Sequence, residues 1–177
     1  DRAAVRAGLG IGPEDAVLIT VGEHSERKNH ETVIAAAAPI EGAHVLFCGV
    51  GDRQAALENQ ARELDMEDRV HFLGFRKDIP ALLAASDVFV FPSLQEGLPV
   101  AQMEAMAAGL PCVVSDVRGN NDLIAPGEGG FLRAPRDVSG FTQDIARLLA
   151  DPALRARMGE RNRREMRCYS LEACLPR

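Results

Sequence analysis

Two carboxylates with seven residues between them, Glu96 and Glu104, stand in a stretch from Phe91 to Pro111 that carries no other charge. Pro99 suits the first position of a helix, and Gly109 followed by Pro111 suits a left-handed stop, so the spacing predicts a helix over 99–108. Within it only Gln102 and Glu104 are polar, which places Glu104 on an element expected to be buried on most sides. A buried carboxylate requires hydrogen-bond donors. Glu96 lies just before the helix, and the backbone amides of Gly97 and Leu98 fall where a helix leaves its first N–H groups unpaired. Such an end attracts phosphate. A ligand with phosphates in its middle and hydroxyl-bearing sugars on either side, a nucleotide-diphosphate sugar, matches two carboxylates flanking such a terminus.

Lys28 is the next candidate. It sits in the loop after the first predicted strand, where a point charge could reach a diphosphate and offset charge growing on a leaving group; the alternative is an ordinary solvated lysine. Gly49-Val50-Gly51 follows a strand and precedes a helix, but Gln54 stands where the third glycine of a dinucleotide fingerprint would fall. Ligand contact at Gly51 and a tight turn both remain open. Phe75 closes the segment Phe72-Leu73-Gly74-Phe75-Arg76 as either a stacking face or a core aromatic. Metal binding is not expected: no Asp-x-Asp ends a strand in these loops, Asp65-Met66-Glu67-Asp68 reads as a solvated turn, and the histidines lack ligand spacing. His44 and His71 read as strand-start residues, His24 and His30 as loop-lining. Gly119-Asn120-Asn121 is a polar turn whose amides either meet sugar hydroxyls or serve only the turn.

The elements that must hold these residues alternate along the chain. Strands are predicted over 15–21, 43–48, 69–73, 88–91, 112–115 and 130–132. Helices are predicted over 1–9, 30–38, 53–64, 79–85, 99–108, 120–124, 138–150 and 152–167. This alternation implies an α/β fold, a doubly wound, Rossmann-like parallel sheet with helices on both faces. Ligands bind such sheets at the carboxyl ends of the strands, near the switch in strand order. All the candidate loops lie on that edge.

Composition narrows the function classes. The 177 residues are 46% apolar, enough for one core, with no internal repeat and no visible second domain. A net charge of -6 argues against a nucleic-acid partner. No apolar run approaches a membrane span and no signal peptide is read at the start. Cys48, Cys112, Cys168 and Cys174 form no Cys-x-x-Cys pair, so a cytoplasmic compartment is expected.

The stretch Ser93, Glu96, Gly97, Leu98, Pro99, Glu104, Ala105 and Gly109 resembles the signature of the retaining nucleotide-sugar glycosyltransferases of family four, which have the two-domain GT-B architecture. The resemblance runs from about Val17 to Arg167 and covers only the carboxyl-terminal, donor-binding half. Residues 1–177 are accordingly read as one donor-binding domain, with the N-terminal acceptor-binding domain outside the chain. It implies that Glu96 contacts the transferred sugar, Glu104 the nucleotide ribose, and Lys28 the donor diphosphate, with Gly22, Gly51, Phe75, Gly97, Leu98 and Pro99 around the donor. The commonest family pattern has arginine directly after the first-strand glycine, where this chain has Glu23. Gly22-Glu23 with Lys28-Asn29-His30 is similar to the capsular and exopolysaccharide subset, and Arg27 could supply the second phosphate-binding charge. The implied function is transfer of a hexosyl group, from a UDP-sugar in the first instance, to a saccharide or lipid-linked acceptor, with no cofactor and no metal. A lipid-linked acceptor would draw the whole enzyme to the inner membrane face. A nucleotide-sugar 2-epimerase domain, an NAD-linked domain and a non-catalytic nucleotide-sugar module are the alternatives.

Overall fold

The computed structural model describes residues 1–169. Six strands, β1 (Ala16–Val21), β2 (Ala43–Cys48), β3 (Val70–Phe72), β4 (Val88–Phe91), β5 (Cys112–Ser115) and β6 (Gly130–Arg133), form one sheet in the order β3-β2-β1-β4-β5-β6. Every named pair is parallel, with Leu18 opposite Val45 on one side and Val88 on the other. The order reverses between β1 and β4, which fixes the switch point where a ligand crevice opens.

The crossovers supply helices to both faces: α1 (Arg2–Gly8), α2 (His30–Ala37), α3 (Gln54–Glu63), α4 (Ile79–Ala85), α5 (Val100–Ala107), α6 (Asn120–Leu123), α7 (Val138–Ala150) and α8 (Pro152–Arg167). Alternate strand residues feed two cores. Leu18, Val45, Phe47 and Val90 pack under α2, α3 and α7 with Ile34, Leu57 and Phe141. Ile19, Leu46, Phe89 and Val114 pack under α4 and α5 with Leu82, Ala105 and Met106. Burial on both faces is why these strands read as unbroken apolar runs.

The sheet and helices correspond to the expected doubly wound fold. Pro99 caps α5 and Val100 begins it, one residue later than expected. The turn at 65–68 is not wholly solvated, because Met66 is buried in the first core. The far end of α5 is fixed by α8: Gly159 lies against the Gly109 carbonyl, so close that a Cβ at 159 would sit 2.0 Å from that oxygen. Asn162 Nδ2 donates to the carbonyls of Leu110 and Gly129 at 2.7 and 2.8 Å.

Candidate functional site

The loop leaving β1 and the loop leaving β2 lie on each other at the carboxyl edge of the sheet. The Gly22 amide donates to the Cys48 carbonyl at 2.9 Å, His24 N to the Val50 carbonyl at 3.0 Å, and Arg53 N to the His24 carbonyl at 3.0 Å. No side chain fits between them. A Cβ at Gly49, whose φ is 154°, would fall 1.9 Å from the Gly22 carbonyl oxygen, and one at Gly51 would fall 2.3 Å from that of His24. Gly22 and Gly49 border the cavity described below, whereas Gly51 is held against the His24 backbone.

This stacking aims the next residues at the β4–α5 loop. Lys28 ends a short 3-10 turn, Glu26–Lys28, and its Nζ donates to Glu96 Oε1 at 2.6 Å while lying 4.7 Å from the centre of the Phe91 ring. Arg27 Nη1 lies 3.5 Å from the same carboxylate oxygen and donates to the Gln95 carbonyl at 3.2 Å. The Lys28 and Glu96 side chains are 12% and 6% exposed, so the pair is shielded from water, whereas Arg27 is 49% exposed. A charge-assisted hydrogen bond in such a setting is much stronger than one at the surface. Backbone stitches hold the loops together: Leu94 N donates to the Arg27 carbonyl at 2.8 Å, and Asn29 Nδ2 donates to the carbonyls of Pro92 and Pro135 at 2.9 and 2.7 Å.

Beneath Lys28 lies an arrangement the sequence reading missed. His24 and His30, expected to line the loop, are fully buried. Their Nδ1 atoms are 3.1 Å apart, so one ring carries the proton that the other accepts. Phe47 closes on both rings at centroid distances of 6.0 and 5.3 Å. Burial pushes the His30 pKa down to about 3 and lowers that of His24 as well, which keeps the pair neutral. The one signal available was a histidine directly after Lys28-Asn29 at a helix start. His44 and His71 lie on β2 and β3, as expected, with His44 Nδ1 2.9 Å from His71 Nε2.

On the other side of Glu96, α5 begins. Among the described residues the amides of Gly97 and Leu98 donate to no protein acceptor, and Pro99 caps the helix. Glu104 corrects an expectation: it is exposed, and the buried polar side chain of α5 is Gln102. Glu104 lies instead in a cleft of about 320 Å³ against Ile79, Pro80 and Leu83. Ile79 also borders a cavity of about 410 Å³ walled by Val21, Gly22, Cys48, Gly49 and Phe75. Phe75 is 77% exposed, which removes the core-aromatic alternative. Burial raises the Cys48 thiol to about 12, so the sulfur brings no charge to the cavity, whose charged lining residues are Glu23 and Arg76. Ile79 thus lines both the cavity and the cleft that holds Glu104, and Lys28, Glu96 and two free amides lie at the same sheet edge. Apolar surface, exposed carboxylate, cation and amides together suit a ring, vicinal hydroxyls and a phosphate. Among the described residues no cluster of three or more His, Cys, Asp or Glu could hold a metal ion.

Comparison with known proteins gives consistent results. The profile described as "Glycosyl transferases group 1" matches residues 1–165. The Escherichia coli UDP-Gal:alpha-D-GlcNAc-diphosphoundecaprenol alpha-1,3-galactosyltransferase is 37% identical over 153 residues, 82% of this chain and 40% of the relative. Anabaena HepE in complex with UDP superposes with a TM-score of 0.89 at 27% identity, covering 93% of this chain and 47% of that one. The C-terminal domain of the group 1 protein LpcC from Francisella tularensis, at 19% identity, shares the fold with a TM-score of 0.85 over 97% of this chain and 94% of that one. The chain spans between 40% and 47% of the length of the first three curated relatives it matches.

Proposed function

The chain belongs to the glycosyl transferases group 1 family, and we propose that it is the donor-binding half of a retaining glycosyltransferase. Its ligand is a nucleotide-diphosphate sugar, a UDP-sugar in particular, whose hexosyl group passes to a saccharide or lipid-linked acceptor held by a further, N-terminal domain. The observation that carries this reading is the meeting of Lys28 with Glu96 at 2.6 Å beside the free amides of Gly97 and Leu98. Binding of UDP and of UDP-glucose by HepE supports the choice of donor, and relatives named as glycosyltransferases support transfer over epimerisation.

In this reading the base enters the cavity against Phe75, the ribose crosses Ile79, and Glu104 accepts from its two vicinal hydroxyls. Glu96 accepts from hydroxyls of the sugar. When the bond between the anomeric carbon and the diphosphate breaks, its electron pair stays on the phosphate oxygen. Lys28, Arg27 and the two amides, turned to the diphosphate when the donor binds, take up that charge as it develops. The acceptor oxygen bonds to the same face of the carbon and gives its proton to the departing diphosphate oxygen, and its alignment falls to the acceptor-binding domain. Among the described residues no helix is long and apolar enough to cross a membrane. The site is read as acting on the cytoplasmic side, with any membrane attachment supplied by the acceptor half.

The chain carries two apolar cores of its own, so it is titrated as it stands. Calorimetry with UDP, GDP, UDP-glucose and NAD should show one nucleoside diphosphate binding, weakened about tenfold or more by Lys28→Ala and by Glu104→Ala, the loss expected when a charged hydrogen-bond partner is removed. Binding of NAD in preference to every diphosphate, or diphosphate affinity indifferent to Lys28, refutes the reading.

A further inference from the structure

Behind Glu96 runs a chain of fully buried polar side chains that the proposed contacts do not use. Gln102, in the first turn of α5, donates from Nε2 to the Asn120 carbonyl at 3.1 Å. Asn120, at the start of α6, donates from Nδ2 to Ser115 Oγ at 3.0 Å and to the Ser115 carbonyl at 3.2 Å. The Ser115 hydroxyl, at the end of β5, donates to the Ser93 carbonyl at 2.5 Å. Ser93 and Gln102 are also joined through the backbone, by the segment that carries Glu96, Gly97, Leu98 and Pro99. Side-chain bonds and backbone therefore close a ring around that segment. Its floor is Gly119, where an added Cβ would lie 2.6 Å from the Gly97 carbonyl oxygen and 3.2 Å from that of Glu96.

Stability alone does not account for these residue types. Ser93 Oγ, Gln102 Oε1 and Asn120 Oδ1 are buried without a partner among the described residues. A network that leaves acceptors unsatisfied is less stable than an apolar filling of the same space. What the ring does supply is geometry, since each of its bonds ends on a backbone group or on the next side chain. We propose that Gln102, Asn120 and Ser115 are positioning residues that clamp the Glu96–Leu98 segment against Gly119, setting where its carboxylate and its two free amides face the donor. The inference rests on the donor-site reading above and assigns to these three side chains no contact with the ligand.

The test uses Ser115→Ala and Gln102→Met, which remove a donor at nearly constant volume, in the intact chain. Hydrogen exchange monitored by NMR is the first readout. The Leu94 amide, bonded to the Arg27 carbonyl, and the Val100 amide, bonded to the Leu98 carbonyl, should exchange about tenfold faster, while the sheet amides of Ile19 and Phe89 keep their rates. The second readout is affinity. UDP should bind about tenfold more weakly to each variant, with uridine unchanged, because the cavity of Val21, Cys48 and Phe75 takes no part in the ring. Wild-type exchange at Leu94 and Val100, acceleration of all amides together, or equal losses for UDP and uridine overturns the clamp. Should the wild-type chain bind neither UDP nor uridine, the donor reading falls, and the exchange measurement still decides the clamp.

Discussion

Acidification should weaken this fold through the histidine pair under Lys28. His30 has a pKa of about 3 in the folded chain against 6.5 unfolded, because burial disfavours its charged form and the neighbouring His24 and Lys28 add repulsion. As pH falls below 6.5 the unfolded chain takes up the proton first. The stability from keeping this ring neutral is therefore complete above pH 6.5 and is lost as pH falls towards 3. Between pH 6.5 and 5 the loss is 1.5 pH units at about 1.4 kcal/mol each, or about 2 kcal/mol. His24, also lowered by burial, acts in the same direction. At about 2–4 °C per kcal/mol for a chain of this size, the melting temperature should drop by about 4–8 °C from His30 alone. Thermal unfolding at pH 7.5, 6.0 and 5.0 measures this, with a His24→Gln/His30→Gln double variant beside the wild type. The variant is less stable at neutral pH, but its decline with acidity should be shallower by at least that amount. The residual slope comes from His44 and His71, whose pKa values are lowered too. A double variant with the wild-type slope refutes the argument.

Two further outcomes follow from the site. Phe75→Ala should weaken nucleotide binding by about 1–3 kcal/mol, the usual worth of a base stacked on an aromatic ring, and leave the melting temperature unchanged, since the 77% exposed ring holds nothing in the fold. Glu96→Gln should erase most of any preference for UDP-glucose over UDP in the same calorimetric titration; an undiminished preference would remove Glu96 from sugar recognition.

The sheet was legible because its strands are buried on both faces and its helices are bounded by strong signals, Asp151 with Pro152 at the start of α8 and Gly109 after α5. Glu104 was misplaced for a reason in its own helix. Ala101, Ala105, Ala107 and Ala108 count as apolar on any face, so composition could not say which stripe turns to solvent; only the packing of α5 on the sheet and α8 decides that. The meeting of Lys28 and Glu96 depends on β1 and β4 being neighbours, which a doubly wound order supplies, and the similarity to a known signature pointed to the same two residues. The His24–His30 contact and the ring through Ser115 and Asn120 were beyond reach. Each joins polar residues that look like ordinary loop chemistry in one dimension, and what completes it, Phe47 on β2 over the histidines or Ser93 and Gln102 around the start of α5, comes from another part of the chain.

The Lys28–Glu96 pair also sets a condition on binding. Both side chains are largely shielded, and a shielded charge stripped of its partner costs more than the pair itself contributes. On the proposed reading each belongs to a different part of the donor, Lys28 to the diphosphate and Glu96 to the sugar. A ligand carrying only the diphosphate draws Lys28 away and leaves Glu96 facing a second anion, with Arg27 3.5 Å away as its nearest compensation. An intact nucleotide-sugar offers hydroxyls to Glu96 at the moment it takes Lys28, so both charges exchange one partner for another. The sugar then contributes more than its own hydrogen bonds, because it also relieves the carboxylate that the diphosphate has uncovered. Cleavage reverses this: the departing sugar returns Glu96 to its unpaired state beside the diphosphate and favours release of the product. On that reading the carboxylate that orients the sugar is also the group that makes the spent nucleotide a poorer ligand than the donor.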